Sequence, residues 1–224
     1  MNKYLDSTIN AYMKYFYDED NKSNLVVYDV GSRDGRDGME LTNRIVPNID
    51  YQDIVLIEPN PIQAEYIRKT YPDATVLELA ASNVNGTHEY VQIISDNIDV
   101  IGTSSLDIHH LDTKQGEKNI IKVETRRLDD IIEDLGHEYI DIMKIDTEGY
   151  SYQVLDGLGE AIHKVKVFHI ETETKLIEDI VPEGHKDNLE IFEFMRDKGF
   201  LCYALESEWG DWNQDQVWVN AEML

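Results

Sequence analysis

The sequence predicts an α/β fold built on parallel strands. Three short apolar runs lack the alternation of a half-exposed strand, which is typical of strands buried on both faces of a parallel sheet: residues 25–30, 53–57 and 74–79. Segments with apolar residues at helical spacing lie between these runs. Because strand and helix alternate along the chain, the strands are expected to run parallel.

The other helices and strands follow from the same periodicities. A helix over residues 4–17 is predicted by apolar residues at helical spacing, namely Leu5, Ile9, Tyr12, Met13 and Phe16. Further helices are predicted at residues 38–46, 62–71, 128–135, 152–162 and 187–198, with Gly199 as the stop of the last one. Further strands are predicted at residues 139–145, 165–170, 201–205 and 216–220. The last two are short enough to pair as an antiparallel edge.

The middle of the chain interrupts this alternation. Residues 87–95 and 119–126 are predicted strands, and a polar segment separates them. We interpret residues 86–126 as an inserted β-hairpin region. A chain of 224 residues can bury a sizeable core as one unit. We therefore expect a single domain over residues 1–224, with residues 1–23 as an N-terminal helical extension.

Composition argues against several classes of partner. Lys and Arg total 20 against 45 for Asp and Glu, which gives a formal charge of −25. Such an excess disfavours binding to nucleic acid and to anionic lipid, since both need surplus positive charge. No stretch approaches the ~18 apolar residues of a membrane span, and the N-terminus lacks the apolar core of a signal peptide. We expect a soluble, cytoplasmic protein without membrane insertion, and we expect Cys202, the one cysteine, to be a packed strand thiol.

In an open parallel sheet, ligands bind beyond the carboxyl ends of the strands. This chain places at those ends Asp29, Gly31, Ser32, Arg33, Asp34 and Gly35 (first strand), Glu58 (second), Ala80, Ala81 and Ser82 (third), Asp146, Glu148 and Gly149 (fourth), and His169, Glu171 and Glu173 (fifth). Carboxylates are therefore concentrated where a ligand is expected.

The turn after the first strand indicates which ligand. A dinucleotide fingerprint, G-x-G-x-x-G, uses its middle glycine to bring backbone amides close to a pyrophosphate. That glycine is missing from the turn Gly31-Ser32-Arg33-Asp34-Gly35, and Asp29 and Asp34 would repel phosphate. A nucleoside with a positive centre and no phosphate fits better than a nicotinamide cofactor. S-adenosylmethionine has a sulfonium cation and a ribose diol, and Glu58 suits a bidentate grip on that diol.

Several motifs in a fixed order resemble one family. The segments 29–35 (DVGSRDG), 57–61 (IEPNP) and 144–150 (KIDTEGY) resemble the FkbM family of S-adenosylmethionine-dependent methyltransferases. Leu128-Asp129-Asp130 and Gly199-Phe200 also stand where that family has similar residues, so the resemblance runs from about residue 25 to 219. The family's usual first loop is closer to Asp-Val-Gly-Ala-Asn-x-Gly, and here Ser32 and Arg33 replace the Ala-Asn pair.

The resemblance implies a Rossmann-like class I methyltransferase fold with a seven-stranded sheet and helices on both faces. It also implies O-methylation, often of a sugar or polyketide hydroxyl. Asp29, Gly31, Gly35 and Glu58 would line the cofactor pocket, with Ser32 and Arg33 in its first loop and Glu58 on the ribose hydroxyls. Pro59 or Asn60 would lie near the adenine, and Ala80 and Ala81 would pass beneath it.

Methyl transfer to an alcohol calls for a general base within hydrogen-bond reach of the acceptor. Asp146 is the first candidate for this base, and it is also expected near the cofactor. Glu148 is either the partner of Asp146 or the base itself. His169 is a third candidate, or else a core histidine with satisfied nitrogens. Lys144 stabilises an oxyanion in one interpretation and forms a structural ion pair with Asp146 or Glu148 in the other.

Acceptor contacts and a metal are the least constrained features. Ser104, Ser105 and Glu171 are candidate acceptor contacts, and Trp209 and Trp212 are either a sugar-stacking platform or a cover for the sheet edge. Asp146, Glu171 and Glu173 resemble the oxygen ligands of magnesium in catechol-type O-methyltransferases, although the FkbM resemblance requires no metal.

The leading hypothesis is an O-methyltransferase that acts on a hydroxyl of a sugar, glycan or glycosylated metabolite. The alternatives are a non-catalytic Rossmann-like module that binds S-adenosylmethionine or another nucleoside, and a magnesium-assisted small-molecule O-methyltransferase.

Overall fold

Two β-sheets form the frame of the protein. The computed structural model describes residues 3–18, 25–47, 53–95, 102–106, 117–174, 186–207 and 213–224. The larger sheet contains strands β1 (Val27–Val30), β2 (Ile54–Ile57), β3 (Thr75–Leu77), β7 (Ile140–Ile145), β8 (Val165–Glu173), β9 (Phe200–Glu206) and β10 (Asn213–Asn220). Their spatial order is β3-β2-β1-β7-β8-β10-β9.

Neighbouring strands of this sheet run parallel except at β10, which is antiparallel to both β8 and β9. The predicted fold class, a seven-stranded and mostly parallel sheet, is confirmed. β9 forms the edge of the sheet and β10 lies inside it. Cys202 is on β9 but is exposed, so the prediction of a packed thiol is wrong.

The smaller sheet comprises β4 (Ala80–Ser82), β5 (Gly86–Ile94) and β6 (Glu117–Arg127). β5 and β6 are antiparallel, as expected for a hairpin region, and β4 runs parallel to β6. The predicted third strand, residues 74–79, is shorter in the structure: it ends at Leu77 as β3, and the chain then crosses to the smaller sheet, where β4 begins at Ala80. A bridge between Val91 and Ser105 holds residues 102–106 against β5.

Helices cover both faces of the larger sheet. They are α1 (Asp6–Tyr15), α2 (Arg36–Ile45), α3 (Pro61–Thr70), α4 (Leu128–Leu135), α5 (Ser151–Asp156) and α6 (Asn188–Asp197). One core joins α1, α2 and α3 to the sheet through residues such as Ile9, Leu41 and Ile67. The other joins α4, α5 and α6 through Ile131, Leu155 and Met195. Among the described residues, no helix is long and apolar enough to cross a membrane.

The helix predicted over residues 152–162 is shorter in the structure. It ends at Asp156, and a 3-10 segment, Gly159–Lys164, follows. Gly157 packs against the end of β4 so closely that a Cβ there would lie 2.1 Å from the Ser82 carbonyl oxygen, and Gly159 has a φ of +50°. The two glycines let the chain bend at this close approach, which ends the helix.

Candidate functional site

A cavity opens at the carboxyl ends of β1, β2 and β7, the edge at which the sequence concentrates carboxylates. The lining residues are Val30, Gly31, Arg33, Ile57, Glu58, Pro59, Gln63, Ala80, Ala81, Tyr90, Gly102, Ser104, Ser105, Leu106, Asp146, Thr147, Glu148 and Tyr150. The smaller sheet and residues 102–106 therefore form part of its wall.

Gly31 allows the turns after β1 and β7 to meet. Its φ is +81°, and a Cβ at this position would lie 1.8 Å from the Asp146 carbonyl oxygen. Both the backbone conformation and the lack of space require glycine. Arg33, at a φ of +54°, also lines the cavity.

The other predicted residues of this turn lie behind the cavity wall. Asp29 is fully buried, and its Oδ2 accepts a hydrogen bond from the Gly38 amide at 3.0 Å. The Ser32 hydroxyl donates to the Asp29 carbonyl at 2.6 Å, and Gly35 begins α2 with a φ of +77°. These three residues shape the turn and are not part of the lining, so direct contact with a cofactor does not fit their positions.

Glu58 joins two loops at the end of β2. Its Oε2 accepts from the Arg33 amide at 2.8 Å, and its Oε1 accepts from the Asn60 amide at 2.7 Å. Burial raises the pKa of the Glu58 carboxyl to about 8, and the two backbone donors offset only part of that effect. Each carboxylate oxygen can still accept another hydrogen bond, so the group can bind a diol from the cavity.

Some residues around Glu58 line the cavity, and others support the loop behind it. Pro59, Ala80 and Ala81 line the cavity, and the two alanines leave room for a flat ring. Asn60 is not in the lining. It begins α3 by accepting from the Ile62 amide at 3.1 Å, and the Gln92 side chain donates to the same oxygen at 2.9 Å.

Lys144 is buried beneath the cavity among three carboxylates. Its Nζ lies 2.9 Å from Asp146 Oδ2, 3.3 Å from Asp37 Oδ2 and 3.9 Å from Asp29 Oδ1. Burial raises the pKa of Asp146, but the Lys144 ammonium outweighs it and holds that pKa at about 2. Lys144 is outside the lining, so the interpretation as a structural ion pair fits its position and the oxyanion role does not.

Three carboxyl groups converge beside Lys144. Ligand oxygens of Asp146, Glu148 and Glu171 all lie within 4.8 Å of one another. Burial and the two neighbouring carboxylates raise the pKa of Glu171 well above its usual range, whereas the Lys144 ammonium lowers the pKa of Asp146. Glu171 also accepts from the Asn213 side chain at 2.8 Å and is not part of the lining.

Glu148 enters the cavity from a strained turn. Its φ is +51°, a left-handed conformation that residues other than glycine rarely adopt, and Gly149 follows at +88°. The predicted magnesium set contained Glu173 instead of Glu148. In the structure Glu173 packs against Gly149, while Glu148 joins Asp146 and Glu171.

His169 lies outside the cavity, beneath α1. Its Nδ1 is 2.7 Å from the Thr8 hydroxyl, its Nε2 is 3.3 Å from Asp215 Oδ1, and the Tyr4 ring packs edge-on against it. The order Thr–His–Asp resembles a catalytic triad, but Thr8 and His169 are fully buried. A substrate cannot reach them, so the predicted catalytic role does not fit and the core-histidine interpretation does.

The hydroxyl groups of Ser104 and Ser105 are used within the wall. Ser104 accepts from the Ile93 amide at 3.0 Å and bonds to the Tyr90 hydroxyl, and Ser105 donates to the Glu148 carbonyl at 2.9 Å. They hold residues 102–106 in place over the cavity. Trp209 and Trp212, the predicted stacking platform, lie outside the described residues.

Sequence reasoning missed several lining residues. Tyr90 comes from β5, Tyr150 precedes α5, and Gln63 is the third residue of α3. Tyr150 was within a recognised motif, KIDTEGY, but no role followed from it. Gln63 stands three residues after Asn60, a spacing that indicates helix capping and not ligand binding.

The sheet with one antiparallel strand, the glycine turn and the acidic residue at the end of β2 define a nucleoside-binding, Rossmann-like methyltransferase. The residues fit S-adenosylmethionine: Glu58 offers acceptors for a diol, and anionic Asp146 faces the cavity where a sulfonium would be attracted. Residues 29–202 match the family of the Methyltransferase FkbM domain. The chain belongs to the FkbM family and is an S-adenosylmethionine-dependent methyltransferase.

The chain is also similar to individual proteins known from sequence or structure. The 2-O-methyltransferase NoeI of Sinorhizobium fredii (strain NBRC 101917 / NGR234) is 28% identical over 171 residues, which cover 72% of this chain and 69% of that protein. The crystal structure of methyltransferase FkbM from Methylobacillus flagellatus KT superposes with a TM-score of 0.57 at 15% identity. That alignment covers 93% of this chain but 47% of the solved one, so the present chain spans about half the length of that relative.

A more distant structure is magnesium protoporphyrin IX methyltransferase (ChlM) from Synechocystis PCC 6803, solved with bound SAM. It is 9% identical, with a TM-score of 0.48, and the alignment covers 97% of this chain and 78% of that one.

Proposed function

We propose that this protein transfers the methyl group of S-adenosylmethionine to a hydroxyl oxygen of a sugar, glycan or glycosylated metabolite. The observation that carries the proposal is one cavity that presents Glu58 at one end and Asp146 and Glu148 at the other. The likeness to NoeI, a 2-O-methyltransferase, supports oxygen as the methylated atom.

The charge of the cavity supports a polyhydroxyl acceptor. Carboxylates accept hydrogen bonds from hydroxyl groups, and the Asp146, Glu148 and Glu171 cluster offers several oxygens within one small region. The same oxygens would repel an acceptor that carries phosphate or carboxylate at the reacting position. A neutral sugar hydroxyl suits this end of the cavity better than an acidic group.

When bound, S-adenosylmethionine supplies an electrophilic methyl group on a positively charged sulfur. Glu58 and the turn at Gly31 would hold the nucleoside, and ionised Asp146 would attract the positive end. Transfer forms the oxygen–carbon bond, breaks the carbon–sulfur bond and releases the hydroxyl proton. In-line placement of the acceptor oxygen supplies much of the rate, since it removes the entropic cost of the encounter.

Glu148 is our proposed general base. Asp146 is a poor base because Lys144 keeps its pKa at about 2. Glu171 lies outside the lining, so it does not face an acceptor in the cavity. Glu148 is the remaining carboxylate of the cluster and lines the cavity beside Asp146.

The test incubates purified protein and S-adenosylmethionine with free sugars, oligosaccharides, glycosides and a small phenol, and follows methylated product by mass spectrometry. We expect methylation of a neutral sugar-containing acceptor by the wild type and none by Glu58→Ala. Methylation of the phenol alone would contradict the proposed acceptor class. Cofactor binding without transfer to any acceptor would favour the non-catalytic module.

A parallel arm with EDTA tests the magnesium-assisted alternative. Asp146 Oδ2 is already paired with the Lys144 ammonium at 2.9 Å, which would compete with a divalent ion for that oxygen, so we expect turnover to survive chelation. Loss of turnover on chelation, with recovery on added magnesium, would favour the metal-assisted reaction.

A further inference from the structure

Arg33 is a positively charged residue in an otherwise acidic cavity wall. Among the described residues that line the cavity, the other charged groups are the carboxyl groups of Glu58, Asp146 and Glu148. The Arg33 side chain is 32% exposed, so a ligand can reach it. Within this wall a ligand therefore meets one cationic side chain among three acidic ones.

The Arg33 residue extends from the nucleoside end of the cavity toward the acceptor end. Its backbone amide donates to Glu58 Oε2 at 2.8 Å. Burial raises the pKa of Asp146, the Lys144 ammonium lowers it, and the Arg33 guanidinium lowers it further. The same three effects act on Asp37 in the first turn of α2. A charge that acts on both carboxylates lies near them, so the guanidinium is on the Asp146 side of the cavity.

Other cations already hold the carboxylates near Arg33. Asp34 Oδ1 lies 3.9 Å from Arg33 Nε, but the other oxygen of Asp34 is paired closely with Arg36. The Lys144 ammonium lies 2.9 and 3.3 Å from the two carboxylates named above. A guanidinium has five N–H donors in a planar fork, which can bind a further carboxylate through two parallel hydrogen bonds.

The cofactor carries a group that needs such a cation. The amino-acid half of S-adenosylmethionine ends in a carboxylate, and an acidic wall repels that group. The ammonium and the sulfonium of the same half suit ionised Asp146. Only the carboxylate is left to be neutralised, and Arg33 stands on the same side of the cavity.

We propose that the Arg33 guanidinium pairs with the carboxylate of the amino-acid half of S-adenosylmethionine. Arg33 then serves both halves of the cofactor, because its amide holds Glu58, the acceptor for the ribose diol, and its side chain binds the opposite end. This rests on cofactor binding in the cavity and not on the identity of the acceptor.

The experiment measures by calorimetry the binding of S-adenosylhomocysteine and of its decarboxylated analogue, which lacks only the carboxylate. We expect the wild type to bind the analogue about tenfold more weakly. Arg33→Met removes the guanidinium but keeps a long unbranched side chain at the same φ of +54°. This variant should bind S-adenosylhomocysteine about tenfold more weakly than the wild type does, and the analogue at least as tightly. Arg33→Lys keeps the charge without the planar fork and should fall between the two.

Arg126→Met is the matched control. The Arg126 side chain is 29% exposed, pairs with Asp134 at 2.6 Å and is not part of the lining. Because this variant loses the same charge at a site of similar exposure, it should bind both ligands as the wild type does. A tenfold loss in Arg126→Met as well would assign the effect to net charge and would overturn the proposal.

Three further outcomes would overturn the proposal. The first, which needs no variant, is equal affinity of the wild type for the two ligands. The second is an equal loss for both ligands in Arg33→Met, which would mean that Arg33 shapes the loop and does not bind the carboxylate. The third is unchanged S-adenosylhomocysteine affinity with a raised KM for the acceptor, which would assign Arg33 to the acceptor. If the wild type bound neither ligand, cofactor use in this cavity would fail first, independently of Arg33.

Discussion

The two ends of the cavity are built differently. At the nucleoside end, Glu58 binds the amides of Arg33 and Asn60, so local turns along the chain hold the site. At the acceptor end, Asp146, Glu148 and Glu171 come together from β7, β8 and the turn after β7, with Lys144 below and Ser105 above. The first end depends on backbone geometry, and the second depends on charges brought together by tertiary packing. Substitutions should therefore damage the two ends in different ways.

The largest effect on stability is expected from Gly31→Ala, because Gly31 is the point at which the two ends of the cavity are in contact. The new Cβ would lie 1.8 Å from the Asp146 carbonyl oxygen, and the φ of +81° is unfavourable for alanine. We expect a loss on the order of 4 kcal/mol in the free energy of unfolding, measured by urea denaturation, since overpacking adds to backbone strain.

Gly136→Ala is the matched control for Gly31→Ala. Gly136 has a similar φ of +72°, but a Cβ there would meet nothing within 4 Å. Gly136→Ala should lose only about 1 kcal/mol in the free energy of unfolding, because alanine is disfavoured in the left-handed conformation. Equal losses at the two glycines would contradict the importance of the close approach.

Lys144→Met should have the next largest effect. Asp29 lies behind the glycine turn and Asp146 faces the acceptor end, so the Lys144 ammonium connects the two regions. Its removal leaves buried carboxylates without a cation, and we expect a loss of about 3 kcal/mol in unfolding free energy at pH 7. Chemical denaturation of the variant checks this value.

Lys166→Met serves as the comparison for Lys144→Met. Lys166 pairs with buried Asp141 at 2.6 Å but is partly exposed, and Asp141 keeps two further donors, the Val26 amide and the Tyr12 hydroxyl. We expect a smaller loss than at Lys144. A Lys144→Met protein as stable as the wild type would mean that the three carboxylates are protonated or hydrated without it.

Much of the nucleoside end could be predicted from the sequence, because turn chemistry is local. Gly31, Glu58 and Pro59 were predicted from motifs that the chain carries within a few residues. The role of His169 was harder to predict. The alternation of residues along a strand does not show that α1 covers the face of the sheet on which His169 lies. Gln63 and Tyr90 were missed because no local motif marks them, and only the packing of α3 and β5 around the cavity places them in its lining.

A pH dependence should arise at Glu58. Its pKa is about 8 in the folded protein and about 4.5 when unfolded, so between these values the folded state holds a proton that the unfolded state has released. This contribution to stability is complete below pH 4.5 and is lost as the pH rises through 8. We expect the wild type to lose stability relative to Glu58→Gln by on the order of 1 kcal/mol per pH unit between pH 5 and 8.

Urea denaturation of both proteins at each pH measures this difference. Asp29, whose pKa burial raises to about 6, also titrates in this pH range in both proteins. Binding provides the second measurement: if ribose hydroxyls donate to an ionised Glu58, S-adenosylhomocysteine should bind more tightly at pH 8 than at pH 6 and release a proton. A pH-independent difference between the two proteins would mean that Glu58 is already ionised in the free cavity.

The smallest effect concerns the strained turn at the acceptor end. Glu148 has a φ of +51°, so Glu148→Gly should relieve strain that Glu148→Ala retains, and we expect the Gly variant to be more stable by about 1 kcal/mol in urea denaturation. Both variants lack the proposed base and should lose methyl transfer by about 100-fold or more with S-adenosylhomocysteine affinity unchanged. Because the two differ in strain but not in chemistry, unequal activity would assign the loss to backbone geometry, whereas equal loss would assign it to the carboxylate. Full activity in Glu148→Gly would show that Glu148 is not the base. The acceptor end would then lack the carboxylate chemistry that distinguishes it from the nucleoside end.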